Sequence, residues 1–159
     1  MSKQTKTQRQ TKNGGKKKTI KNNKKIQNKK IQNKINKNVM NSMVTKFMEM
    51  LSCIKLYHWK TMNKSVHDAT DVLYTELNKK IDRFMELLIG KTNYKIEKIC
   101  FSCFKIQNKN HFIKVIHEFI NYLRSMNNML DKNNDSELIT VRDELIGDFM
   151  QLFYSIRLK

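Results

Sequence analysis

Proline is absent from this chain of 159 residues, and glycine nearly so. Two of the four glycines, Gly14 and Gly15, lie near the N-terminus, which leaves Gly90 and Gly147 for the rest. A β-rich domain needs a turn about every 8–12 residues, and those turns draw on Gly and Pro. The supply of turn residues therefore points to an all-α domain.

Hydrophobic spacing divides that domain into four helices. Met40, Met43, Val44, Phe47, Leu51 and Ile54 recur at three- and four-residue intervals and carry a first helix to Trp59. After a short connection over 61–64, Ser65 reads as an N-cap, with Asp68 three residues on in a capping-box arrangement. The second helix runs from Val66 to about Ile89 and is expected to stop at Gly90. A longer connection, 91–109, contains an apolar stretch from Ile96 to Phe104 that suits a short helix. The third helix covers about His111–Leu130. A polar turn, Asp131–Asn134, and a cap at Asp135 or Ser136 introduce the fourth. Short first and last connections make antiparallel hairpins, and the long middle one lets the second and third helices run parallel. That is the ferritin-like four-helix bundle with one long crossover.

Charge separates a tail from this bundle. Residues 1–38 hold 14 Lys/Arg and no Asp or Glu, against 18 basic and 14 acidic residues in 39–159. The tail contributes +14 of the net +18. Its Lys, Asn, Gln and Thr cannot bury enough apolar surface to offset ordering entropy, so disorder is expected. A flexible polycation suits nucleic acid, whose phosphates would meet Lys16, Lys17, Lys18, Lys21, Lys24, Lys25, Lys29 and Lys30. Contact with anionic lipid, a solubility role and nuclear import through Lys16–Lys18 are the other readings. No apolar run approaches the ~18 residues of a membrane helix, so no membrane insertion is expected. The basic N-terminus has no apolar core behind it, which argues against a secretory signal and for the cytoplasm. Cys53, Cys100 and Cys103 are read as buried thiols, because a structural zinc usually takes four ligands.

Four residues of the second helix, His67, Asp71, Asp82 and Glu86, lie at intervals of four, eleven and four. At about 100° per residue they fall within roughly 100° of arc, beside the apolar stripe. Imidazole and carboxylate suit iron, zinc or manganese. The two pairs are centred 15 residues apart, or about 22 Å along a helix, too far to share an ion within one chain. Two copies of the helix, antiparallel across a two-fold axis near Leu77, would bring the pairs together twice, with Thr75 and Asn78 at the close approach. Taken alone, such a stripe reads more readily as a solvated helix face.

With His58 and Trp59 placed before it, this order resembles the Dps (DNA protection during starvation) mini-ferritins. Leu56–Thr61, Asp82–Glu86 and Val141–Leu145 also look like ferritin-like proteins of giant DNA viruses. The resemblance implies an inter-subunit ferroxidase site. His58, His67 and Asp71 would come from one subunit, and Asp82 and Glu86 from its two-fold mate. It implies Fe as one or two ions per site, with zinc as an alternative occupant, and Trp59 as a radical-quenching aromatic. Read by itself, Trp59 is equally a core residue. A two-fold dimer within a dodecamer is the implied assembly, and a viral origin would add the virion or a host-cell viral factory as location. The chain departs from the pattern in spacing: His58 precedes His67 by nine residues, where the family has twelve. It also lacks the Glu-x-x-His of bundle-interior di-iron sites. His111 and His117 have no counterpart in the pattern and read as surface or interface residues. Two functions follow as expectations. One is a mini-ferritin that oxidises Fe(II) and binds DNA through its tail. The other is a non-enzymatic DNA-packaging protein with a vestigial metal stripe. A plain homodimeric interaction protein is the third reading.

Overall fold

The computed structural model describes residues 37–96, 99 and 105–157. The Lys-rich tail and the Cys100/Cys103 pair lie outside these residues, as does most of the apolar stretch before Phe104. Among the described residues the chain is all helical, with no strand. Helix α1 is Lys37–Lys60, α2 Lys64–Thr92, α3 Lys109–Ser125 and α4 Ser136–Arg157; a 3₁₀ turn, Met126–Asn128, follows α3.

Contacts along the helices fix their directions. Phe47 meets Phe84, ring centres 5.4 Å apart, and Lys55 meets Asp71 at 3.4 Å, so α1 and α2 are antiparallel. Lys91 reaches Asp135 at 2.8 Å and Lys80 reaches Asp148 at 2.7 Å, so α2 and α4 are antiparallel too. Tyr57 stacks on Phe112 at 3.9 Å while Lys46 lies over Phe119, which sets α3 against α1 in the opposite sense. His117 stacks on Phe153, and Arg142 bonds Asn127, closing the square between α3 and α4. Helices α2 and α3 therefore run parallel, as the connection lengths predict. The stripes come together as one core: Phe47, Met50 and Ile54 of α1, Leu77, Phe84 and Leu88 of α2, Phe112, Ile116 and Ile120 of α3, and Leu145 and Phe149 of α4. Burying each such side chain stabilises the bundle by about 1.5–3 kcal/mol.

The helix ends differ from the sequence expectation. Asn63, not Ser65, caps α2: its side chain accepts from Val66 N at 3.1 Å, and its own backbone is extended. Asp68 then pairs with Lys64 at 3.0 Å instead of completing a capping box. Asn caps a helix as well as Ser does, and the earlier start adds a half-turn to α2. Nor does α2 stop at Gly90. It continues to Thr92 and ends on Asn93, whose φ of 53° is the left-handed cap conformation that Gly90 does not adopt. Helix α3 ends at Ser125, and the 3₁₀ turn takes the place of its expected last turn. Asp135 stands just before α4, but its buried carboxylate accepts from Asp131 N at 2.8 Å and from Lys91, so it closes the turn.

Candidate metal centre

The connection between α1 and α2 is three residues, 61–63. So tight a reversal places the last turn of α1 directly against the first turn of α2. The rings of His58 and His67 stack there, 3.8 Å between centres and 28° between planes. Each imidazole also reaches the other's backbone. His58 Nδ1 lies 3.0 Å from His67 O, and His67 Nδ1 lies 3.1 Å from His58 O. A carbonyl only accepts, so both Nδ1 atoms carry the proton and donate. In the neutral form of each ring the lone pair then lies on Nε2. Histidines that bind metals are commonly held in this way, with tautomer and ring orientation set by a backbone acceptor.

Thr70 supports the pair from below. It is fully buried, and its hydroxyl lies 2.8 Å from Val66 O, 2.9 Å from His67 O and 3.3 Å from His58 Nδ1. It occupies the apolar stripe between Val66 and Leu73, and a lone threonine at a core position was the sequence signal for this role.

Asp71 lies one turn beyond His67 and faces His58. Its Oδ1 is 3.8 Å from His58 Nε2. Two ligands of one ion, each at about 2.1 Å with tetrahedral angles, stand about 3.4 Å apart, so this separation is near that of a shared cation. Lys55 Nζ approaches the same oxygen at 3.4 Å and faces the Tyr74 ring. Sequence reading passed over Lys55, although it lies one turn before Trp59 on the side of α1 that meets α2.

The expected residues thus divide into two groups. His58 stacks on His67 and its Nε2 lies 3.8 Å from Asp71, and His58 is buried despite the shortened turn. Asp82 and Glu86 lie farther along α2, both exposed, and neither makes a hydrogen bond or ion pair among the described residues. Within one chain, the described residues contain no group of three or more His, Cys, Asp or Glu side chains set to hold a metal ion. All four residues of the stripe on α2 are exposed, as its position beside the apolar face predicts. Trp59 is 70% exposed, so it is not a core residue. Met48 is also exposed. His111 and His117 take no part: His111 Nδ1 accepts from Gln107 N at 3.2 Å, and His117 stacks on Phe153. Cys53 is buried, as expected, and burial pushes its thiol up to about 12. No helix among the described residues is long and apolar enough to cross a membrane.

Residues 58–156 match a family of unknown function, DUF5856. The matched stretch begins at His58 and holds all five candidate ligands, while the basic tail lies outside it. No curated protein and no solved structure matches the chain.

Proposed function

We propose, for a chain that belongs to the DUF5856 family, a Dps-like mini-ferritin: a ferritin-like bundle that binds and oxidises Fe(II) at a site shared between two subunits. The observation that carries this reading is the reciprocal bonding of His58 and His67. It leaves the Nε2 atom of each ring without a bond among the described residues, that of His58 lying 3.8 Å from the Asp71 carboxylate.

The donor set fits iron as substrate. Imidazole nitrogen and carboxylate oxygen together suit Fe(II), and carboxylates favour the Fe(III) that results when a dissolved oxidant takes an electron. In this reading His58, His67 and Asp71 form one half of the site. Asp82 and Glu86 of a two-fold mate form the other. Two free carboxylates on an exposed helix face, with Trp59 and Met48 exposed on the same side, are what an isologous contact through α2 would use. Trp59 would stand at the rim of each site as an oxidisable aromatic. The parallel α2 and α3 support the ferritin-like arrangement. Zinc would fit the same donors without turnover.

The tail extends the proposal to nucleic acid. With 14 Lys/Arg and no acid over 38 residues, it would neutralise phosphates without sequence preference, and several tails on one assembly would add avidity. Binding that weakens steeply with salt and is lost on removing residues 1–36 is the expected behaviour.

Complementation between chains tests the shared site. One variant carries His67→Ala with Asp71→Ala, the other Asp82→Ala with Glu86→Ala. Each alone should fail to bind and oxidise Fe(II). Refolded together, they form heterodimers in which one of the two sites is whole, and about a quarter of the wild-type capacity should return. No recovery, with mixed dimers present by native mass spectrometry, would exclude a shared site. Wild-type protein that binds DNA but never oxidises Fe(II) would favour the packaging role.

A further inference from the structure

The candidate site already holds a cation of its own. Lys55 Nζ stands 3.4 Å from Asp71 Oδ1, the same oxygen that His58 Nε2 approaches at 3.8 Å. The ammonium also lies 4.9 Å from the centre of the Tyr74 ring and 5.9 Å from that of Trp59. A well-formed ammonium–carboxylate bond is about 2.7–2.9 Å. Lys80 and Asp148 achieve this on the other side of α2, at 2.7 Å. Lys55 therefore holds Asp71 loosely and already shares its charge with the two rings, since an ammonium within about 6 Å of an aromatic centroid is attracted to the ring face.

We propose that Lys55 is the built-in counter-cation of the metal site: it neutralises Asp71 in the absence of metal, and a divalent metal displaces it from Asp71, leaving it to the Tyr74 and Trp59 ring faces alone. The inference rests on the metal-site reading above and adds to it what sets the affinity. Two groups that present lone pairs, His58 Nε2 and Asp71 Oδ1, are near neighbours in the fold, and the ammonium beside them relieves their repulsion. A metal performs the same task with twice the charge, so the two compete for one oxygen. At about 6 Å and water-like screening, a divalent and a monovalent cation repel by about a factor of ten in affinity. The aromatic faces keep the displaced ammonium close, so it is ready to return when the metal leaves.

Zinc is the suitable probe, because it has no redox chemistry and so cannot oxidise Trp59. Full-length wild type, Lys55→Met, Lys55→Gln and the His67→Ala/Asp71→Ala variant would be titrated with Zn²⁺. Calorimetry would give affinity, and the emission of Trp59, the only tryptophan of the chain, would report the ammonium's position. Both Lys55 variants should bind Zn²⁺ about tenfold more tightly than wild type. The Trp59 emission change that accompanies binding in wild type should be largely lost in them. Equal affinity in wild type and both Lys55 variants would overturn the role of Lys55 while leaving the site standing. Binding that survives His67→Ala/Asp71→Ala, or no binding in any protein, would overturn the site itself and Lys55's role with it.

Discussion

The two ends of the stripe on α2 are built differently. Around His67 and Asp71 each side chain has a partner within the chain: two imidazoles on each other's carbonyls through Nδ1, a buried threonine beneath, a lysine near one oxygen of the carboxylate. Fifteen residues along, Asp82 and Glu86 stand exposed with no partner among the described residues. One end is rigid and pre-arranged, the other a pair of free charges one turn apart. A solvated helix face would have looked the same at both ends. The asymmetry suits a site whose geometry is set by one subunit and whose remaining ligands are brought by another.

The strongest way to break the comparison is to keep the two ends apart. Asn78 is exposed near the middle of α2, where the proposed two-fold axis crosses. Asn78→Arg would set two guanidinium groups against each other there without touching the core. The expected result is a monomer by light scattering with unchanged helicity, and loss of metal binding although every ligand is still present. A variant that still dimerises and still binds metal would place the interface elsewhere.

A second, smaller effect lies beyond Glu86, where α2 is anchored. Lys91 Nζ donates to Asp135 at 2.8 Å, to Asn134 O at 2.5 Å and to Glu137. Burial pulls the Lys91 ammonium down, but its bonds to Asp135 and Glu137 outweigh this and raise it above its ordinary 10.5. Burial likewise raises the Glu137 carboxyl, and Lys91, together with the residue's own backbone N–H and Ser136, more than reverses this, holding it below 4.5. Stability from Glu137 is therefore full above its ordinary range and is lost as pH falls through its lowered value. Stability from Lys91 is full below its ordinary range and is lost as pH rises through its raised value. Lys91→Met leaves the buried Asp135 carboxylate without its cation and should cost about 3 kcal/mol in urea unfolding. Its effect should be flat between about pH 5 and 10 and smaller outside that window. The ligands at the other end of α2 should keep their metal affinity wherever the variant is folded.

The two ends were also unequally legible in the sequence. Asp82 and Glu86 are defined by helical spacing alone, and a helix without proline keeps that spacing over its whole length. The His67 end depends on a turn. The placement of His58 follows from three residues, 61–63, and from a cap on Asn63 that competes with an equally good one on Ser65. Those two capping choices differ by half a turn, which is enough to move His58 relative to His67. Helical periodicity holds no information on that choice, so the nine-residue spacing could be read but its consequence could not. Lys55 was missed for a similar reason. In sequence it is one more lysine among many, and only the packing of α1 on α2 sets it against Asp71. The parallel course of α2 and α3, by contrast, was readable from connection lengths.

Thr70→Val would soften the organised end while keeping its shape. The hydroxyl's buried bonds are lost, at about 1 kcal/mol of stability. The larger consequence is for orientation: His58 loses a neighbour of its Nδ1, and removal of such outer-shell partners lowers metal affinity by about 10- to 100-fold. A Zn²⁺ titration of the variant would show a weakened site in a folded protein. Unchanged affinity would mean that the carbonyl of His67 alone suffices to hold the ring.

The smallest expected effect carries the sharpest contrast. Asp82→Asn with Glu86→Gln removes two like charges one turn apart on an exposed helix face. Like-charge pairs at this spacing destabilise a helix by about 0.2–0.5 kcal/mol. With metal absent, the double variant should therefore be as stable as wild type or slightly more so, by thermal unfolding under EDTA. With metal present the order should reverse, because wild type gains binding energy on folding and assembly that the variant cannot. A group kept for fold stability would lose stability in both conditions, as Thr70 is expected to. A pair of carboxylates that slightly weakens the empty protein and strengthens only the loaded one is kept for its ligand. Measuring both proteins with and without Zn²⁺ reads that difference directly, and a variant less stable in EDTA would assign Asp82 and Glu86 to the fold instead.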